Sequence, residues 1–85
     1  MIEGTIKDYL LSIGFSDDGQ CPVCGGRAMM YSKEGTIIKV RVDQYGNELT
    51  NGTFMVEGKN KDGRRIVPTR GYKTNVDIVL KDLGV

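Results

Sequence analysis

The sequence predicts an α+β fold, with an N-terminal helix, a Cys-x-x-Cys loop, an antiparallel β-meander of three to five strands and a short C-terminal helix. Two periodicities predict it. Apolar side chains recur with helical spacing near both ends of the chain, and they alternate with polar side chains in the middle. With 85 residues, of which 39% are hydrophobic, we expect residues 1–85 to form a single small domain with a thin core.

The N-terminal helix is predicted by one apolar stripe that runs to residue 12 or 13. Gly14 is expected to end the helix, because glycine adopts the left-handed conformation of a C′ residue without strain. Phe15 would then fold back toward Leu10, as in a Schellman motif. The polar residues 16–20 are expected to be an exposed, turn-forming lead-in to the cysteine loop. The stripe consists of Ile2, Ile6, Tyr9, Leu10 and Ile13.

The clearest strand covers residues 36–42, where apolar and basic side chains alternate. Ile38 and Val40 fall on one face, and Lys39 and Arg41 fall on the other. This alternation is typical of a sheet with one buried and one solvated face. We therefore expect the two basic side chains to be exposed.

Further strands are predicted on either side of this one, at residues 27–32, 53–57 and 64–67. Residues 48–50 are expected to form a short strand joined to the next one by a two-residue turn at Asn51-Gly52. Pro68 either stops the last strand or confines it to a sheet edge. The result is an antiparallel meander.

The C-terminal helix is predicted by helical spacing of Val76, Val79, Leu80 and Leu83, with Gly84 as its C′ residue. Its cap would be Thr74 or Asn75. A strand over residues 76–78 is the alternative. We favour the helix because the apolar stripe continues beyond residue 78.

The segment Cys21-Pro22-Val23-Cys24-Gly25-Gly26 contains both cysteines of the chain. Two thiolates at this spacing bind one Zn²⁺ from two sides, with Zn–S distances of about 2.3 Å. The segment resembles the first knuckle of zinc-ribbon and treble-clef domains, over six residues of 85, and the resemblance implies Cys21 and Cys24 as metal ligands.

The remaining two zinc ligands are not obvious, because the chain has no histidine and no second cysteine pair. A Cys₂Asp₂ site with Asp17 and Asp18 would be unusual, so a Cys₄ site shared by a homodimer is the more plausible metal site. The alternatives are a metal-free glycine turn with two small, partly buried thiols, and a redox pair. A redox pair is disfavoured because Gly25-Gly26, and not a helix, follows the cysteines. In redox-active Cys-x-x-Cys motifs, the N-terminus of such a helix lowers the pKa of the first thiol.

Charge is unevenly distributed along the chain, although the net charge is only +1. Residues 59–73 carry six basic side chains and one acidic one, whereas residues 1–20 carry one basic and four acidic. Basic residues on a glycine-containing hairpin, with a tyrosine nearby, are typical of a surface that follows phosphates. The alternative is a solvated hairpin tip whose charges discourage edge-to-edge aggregation. The candidate nucleic-acid or anion-binding residues are Lys59, Lys61, Arg64, Arg65, Arg70, Tyr72 and Lys73.

The aromatic side chains divide between packing and recognition. Tyr9 and Phe54 fall on predicted core faces. Tyr31, Tyr45 and Tyr72 are expected to be available for recognition, since a tyrosine ring combines an apolar body with a polar tip.

No catalytic constellation is visible, which predicts a protein that is not an enzyme. No secretory signal or membrane span is recognisable, so we expect a cytoplasmic protein. We expect a small binding module that binds nucleic acid through the basic hairpin, with the cysteine loop as a zinc-knuckle-like scaffold. The alternative is a protein-interaction module, such as a small inhibitor or accessory factor, that acts as a homo-oligomer with a metal-free cysteine loop.

Overall fold

The computed structural model describes residues 2–23 and 25–85, and over these residues the chain forms two α-helices and five strands. In chain order they are α1 (Ile6–Ser12), β1 (Ser16–Gln20), β2 (Ala28–Lys33), β3 (Thr36–Arg41), β4 (Thr53–Lys59), β5 (Arg65–Tyr72) and α2 (Val76–Asp82). A single 3₁₀ turn, Lys73–Asn75, leads into α2. The strands form one antiparallel sheet in sequence order. The predicted α+β fold is confirmed, while the complete Cys-x-x-Cys loop lies outside the described residues because it includes Cys24.

Helix α1 begins at Ile6, four residues after the first member of its predicted apolar stripe. Thr5 is the N-cap residue, and its hydroxyl oxygen accepts a hydrogen bond from the Asp8 N–H at 3.0 Å. This bond satisfies one of the free donors of the first turn and sets the starting point of the helix. Ile2 lies before the helix but still packs against the core.

Both helices end in a Schellman motif. In α1, the Phe15 N–H donates to the Leu10 carbonyl at 2.9 Å, and Gly14 has a φ of 98°. In α2, the Val85 N–H donates to the Leu80 carbonyl at 2.9 Å. The predicted helix endings are therefore confirmed, and each motif directs the next side chain back toward the core.

The core lies between one face of the sheet and the two helices. Ile38 pairs with Val56 and Val40 with Phe54 across β3 and β4, so these four side chains share a face. Ile38 and Val40 are fully buried, as the alternation predicts. Burying a large apolar side chain stabilises the fold by roughly 1.5 to 3 kcal/mol. The buried cluster consists of Ile6, Leu10, Phe15, Tyr31, Ile38, Val40, Phe54, Val56, Ile66, Val76 and Leu80.

The segment Ser16–Gln20 differs from its prediction. It is exposed, as expected, but it forms edge strand β1 rather than a turn-forming lead-in. It pairs with β2 from Ser16↔Ser32 to Gln20↔Met29, with a register shift between Asp17 and Gly19. Pairing with a neighbouring strand overrides the weak strand propensity of these polar residues.

The predicted short strand at residues 48–50 and its two-residue hairpin turn are also wrong. Strand β3 pairs directly with β4, and the connection between them contains an isolated bridge, Val42↔Glu48. Asn51 does adopt a left-handed φ of 53°. A turn therefore does form at Asn51, but it is not the turn of a two-residue hairpin, because the strand expected before it does not form.

Strand β5 is longer than predicted, because it continues through Pro68 to Tyr72. It is an edge strand of the sheet. The prediction that Pro68 confines this strand to an edge is confirmed, since a proline without an N–H is tolerated where one side of the strand has no partner.

Candidate functional site

The face of the sheet opposite the helices carries a groove of about 640 Å³. Lys39 pairs with Met55 and Met55 with Arg70, so these side chains alternate with the core residues and lie on the other face. Ala28 pairs with Arg41 on this same face. The groove crosses the sheet from β2 to β5 and is lined by Arg27, Ala28, Lys39, Arg41, Thr53, Phe54, Met55, Arg70, Gly71 and Tyr72.

The described residues that line this groove include four basic side chains and no acidic one. Lys39 Nζ lies 3.4 Å from Glu57 Oε1, so its charge is partly balanced. Arg41 and Arg70 are exposed, and within the described part of the chain no carboxylate pairs with either guanidinium. The groove is therefore a positive surface on a chain whose net charge is only +1.

A second groove, of about 400 Å³, continues the first one, since Arg27 and Arg41 line both. It extends to Tyr45 in the connection between β3 and β4. Asp43 also lines it, and Asp43 Oδ1 accepts hydrogen bonds from the N–H groups of Tyr45 at 2.8 Å and Asn47 at 3.0 Å. This carboxylate therefore holds the turn that presents the Tyr45 ring.

The structure divides the predicted basic hairpin between the two ends of β5. Arg70 and Tyr72 line the larger groove, whereas Lys73 is half-buried in the 3₁₀ turn. Arg65 is about 16 Å from Arg70 along the strand. The two groups therefore do not form one surface. The exposed residues at the β4–β5 turn are Lys59, Lys61, Arg64 and Arg65.

The β4–β5 turn is attached to the end of α2. Asn60 Oδ1 accepts a hydrogen bond from the Arg64 N–H at 3.0 Å, and Asn60 Nδ2 donates to the Leu83 carbonyl at 3.1 Å. The Lys61 N–H donates to the Gly84 carbonyl at 3.2 Å. The bonds to Leu83 and Gly84 satisfy carbonyls at and just after the C-cap of α2, where nearby basic side chains are also favourable. The turn thus has a structural role of its own.

Arg27, Lys39 and Arg41 line the groove but were not predicted as site residues. The alternation in residues 36–42 did place Lys39 and Arg41 on the solvated face, and Arg41 is exposed while Lys39 is half-buried beside Glu57. These basic site residues could have been predicted by combining this alternation with an antiparallel meander, which places neighbouring solvated side chains side by side. The net charge of residues 21–58 gave no such indication, because this segment carries equal numbers of acidic and basic side chains.

The tyrosines differ in their availability. Tyr31 is only 2% exposed and belongs to the core, so the expectation that it takes part in recognition is wrong. Burial, together with the negative charges of Asp17, Glu48 and Asp8, raises the pKa of Tyr31 to about 12. The rings of Tyr72 and Tyr45 are exposed and remain available for a ligand.

Cys21 is 1% exposed, and its N–H donates to the Ala28 carbonyl at 2.9 Å. Cys24 lies outside the described residues. Within residues 2–23 and 25–85, no three Cys, Asp, Glu or His side chains are grouped so that they could hold a metal ion. Asp17 already contacts Lys7 at 3.5 Å. The assignment of Cys21 and Cys24 as zinc ligands therefore stays a prediction.

Comparison of the chain with protein-family models, curated proteins and solved structures gives no match. In the described part of the chain, no helix has both the length and the apolar character needed to cross a bilayer. The geometry and charge of the groove are therefore the features that bear on function.

Proposed function

We propose that the protein binds nucleic acid along the groove on the open face of its sheet. The observation that carries the proposal is the convergence of Arg27, Lys39, Arg41 and Arg70 in one groove whose described lining has no acidic side chain. Guanidinium groups bind phosphate oxygens through paired hydrogen bonds. Three of these four side chains are arginines.

The length of the groove favours a polymer over a small anion. It crosses from β2 to β5, and three strand spacings of about 4.8 Å make this distance about 14 Å. A single phosphate would contact only part of it. Met55 and Tyr72 add apolar and aromatic surface beside the charges, which suits the bases of a nucleic acid.

Two double variants with the same loss of charge test this proposal. Arg41→Ala/Arg70→Ala removes two cations from the groove, and Arg64→Ala/Arg65→Ala removes two from the β4–β5 turn. Binding of a fluorescent oligo(dT) or oligo(U) of about 12 nucleotides is measured by anisotropy over about 50 to 200 mM salt. We expect the groove variant to lose at least about tenfold in affinity. Its salt slope should fall by up to about 1.4, that is, about 0.7 for each lost phosphate contact.

The turn variant is expected to lose much less affinity, because its charges are remote from the groove. A stronger loss in the turn variant would move the site to the hairpin tip. If the parent protein binds neither DNA nor RNA at low salt, the proposal is wrong. A protein-interaction module would then be the better hypothesis.

A further inference from the structure

We infer that the ligand of the groove is single-stranded nucleic acid, and that its bases stack on Tyr72 at one end and on Tyr45 at the other. This inference rests on the proposed function and specifies the ligand of the same site. Both rings lie at depressions that share Arg27 and Arg41, so a chain that crosses these two arginines can reach both rings.

Both rings are exposed enough to offer a face to a ligand. Tyr72 is 51% exposed and Tyr45 is 78% exposed, and each lines a groove that also contains arginine. Stacking of a base on an aromatic ring is tolerant of sequence, because every base has a π-face. The site therefore combines a charged track with two stacking platforms.

The backbone at each tyrosine is held in place without a ligand. The Tyr45 N–H donates to Asp43 Oδ1 at 2.8 Å. The Tyr72 N–H donates to Asn75 Oδ1 at 2.9 Å, and the next N–H, that of Lys73, donates to the Gly52 carbonyl at 2.8 Å. On the protein side, binding then leaves less backbone to be ordered at the two tyrosines, which lowers its entropic cost.

A single strand fits this site better than a duplex does. Stacking needs an unpaired base with a free face, whereas the base faces of a duplex are covered by neighbouring pairs. Proteins that recognise duplex DNA by sequence insert a helix or a β-ribbon into its groove. The basic residues found here line a depression in a sheet instead, so a duplex would contact only the rim.

The size of the groove predicts the length of strand that it binds. The larger groove is about 14 Å long, which holds at most about four nucleotides, because a stacked strand rises about 3.4 Å per nucleotide and an unstacked strand spans more. The second groove lengthens the site beyond this. We therefore expect affinity to rise steeply up to about four to six nucleotides and to change little beyond that length.

The test compares Tyr45→Ala/Tyr72→Ala with Tyr45→Phe/Tyr72→Phe, which keeps both rings. Three probes are used at the same salt concentration: oligo(dT), a duplex of the same length, and inorganic polyphosphate, which has no bases. We expect the parent protein to prefer oligo(dT) to the duplex. The alanine variant should lose at least about fivefold in oligo(dT) affinity for each ring and bind polyphosphate as the parent does. The phenylalanine variant should keep its affinity for all three probes.

The outcomes separate this inference from the proposed function. If the alanine variant binds oligo(dT) as the parent does, while Arg41→Ala/Arg70→Ala does not, base stacking is excluded and the arginine groove stands. Tighter binding of the duplex than of oligo(dT) also overturns the inference. If the parent binds none of the three probes and no oligo(U), the proposed function itself fails.

Discussion

Gly58 shows how one residue permits the pairing of three strands. It has a φ of 90°, it pairs with Thr36 of β3 and Ile66 of β5, and the register between β4 and β5 shifts beside it. A Cβ atom at this position would collide with the carbonyl oxygen of Gly35. The same carbonyl accepts a hydrogen bond from the Lys59 N–H at 2.9 Å, so it is not free to move away.

We therefore expect Gly58→Ala to lower the free energy of unfolding by about 3 kcal/mol or more, from backbone strain and steric conflict together. Gly63→Ala is the matched control, because Gly63 has a similar φ of 79° but open space around it. Gly63→Ala should lower the free energy of unfolding by only about 1 kcal/mol. Urea denaturation of both variants measures the difference. Equal losses would show that the collision with Gly35 is relieved at little cost.

Because Tyr31 is buried, we expect the folded state to lose stability at alkaline pH. Its pKa is raised from 10.0 to about 12 in the folded protein, chiefly by burial. Below pH 10 the phenol is neutral in both the folded and the unfolded state, so its full contribution is present. Between pH 10 and 12 the unfolded state loses the proton first, and stability falls as pH rises.

Tyr31→Phe removes this effect, since phenylalanine does not titrate. We expect the stability of the parent to fall relative to the variant by roughly 1 to 2 kcal/mol between pH 9 and pH 12. Tyr45→Phe, at an exposed position, is the control for the replacement itself. Urea denaturation at several pH values gives the comparison. A constant difference between parent and Tyr31→Phe over this range would contradict the prediction.

At the scale of elements, the first turn of α1 is completed by a residue from the β3–β4 connection. Glu48 Oε1 accepts a hydrogen bond from the Ile6 N–H at 2.7 Å, and Glu48 Oε2 accepts one from the Lys7 N–H at 2.9 Å. Together with Thr5, this carboxylate satisfies three free donors at the helix start. Because Glu48 also bridges to Val42, helix and sheet are directly joined.

Glu48→Gln keeps the size of the side chain but removes its charge and one acceptor oxygen. We expect a loss of about 1 to 2 kcal/mol in the free energy of unfolding, since a charged acceptor at a helix N-terminus is replaced by a neutral one. Glu3→Gln makes the same chemical change at an exposed position and should change stability by less than about 0.5 kcal/mol. Thermal and urea unfolding of both variants provide the measurement. Similar stabilities of the two variants would mean that Glu48 contributes little to the cap.

At the scale of the whole molecule, folding turns a nearly neutral chain into one with a positive sheet face. The acidic residues Asp17 and Asp18 lie on edge strand β1, while Arg70 lies on the opposite edge strand, β5. The acidic N-terminal segment and the basic C-terminal segment of the sequence therefore lie at opposite edges of the sheet. An anionic ligand would be steered toward the groove and away from edge strand β1.

The predicted zinc-bridged homodimer depends on the cysteine loop. Two thiolates without histidine do not complete a conventional zinc site within one chain. If the purified protein contains zinc, we expect about one ion per two chains, with Cys21 and Cys24 of each copy as ligands. Chelation, or Cys21→Ser/Cys24→Ser, should then convert dimers to monomers and lower the Tm.

Metal analysis combined with the mass in solution checks this prediction. About one tightly held zinc per monomer would contradict it and would require carboxylate ligands. A metal-free protein whose double serine variant keeps its stability and its mass would support the alternative of a glycine turn with two thiols.

Features that depend on neighbours along the chain could be predicted from the sequence. The apolar stripes predicted both helices, and Gly14 and Gly84 predicted where they end, with a Schellman motif expected at the first. The alternation at Ile38 and Val40 predicted which face of β3 is buried. Each of these follows from hydrophobic periodicity or from the conformational freedom of glycine, which act over a few residues.

Features that depend on strand register could be read only from the three-dimensional fold. Pairing with β2 made a strand of the polar segment Ser16–Gln20, and the β3–β4 connection brought Glu48 to the start of α1. Register also placed Arg41 and Arg70 in one groove and left Arg65 at the far end of β5. The physical reason is that side chains on paired strands lie about 5 Å apart however far apart they are in sequence, so no local pattern encodes which charges meet.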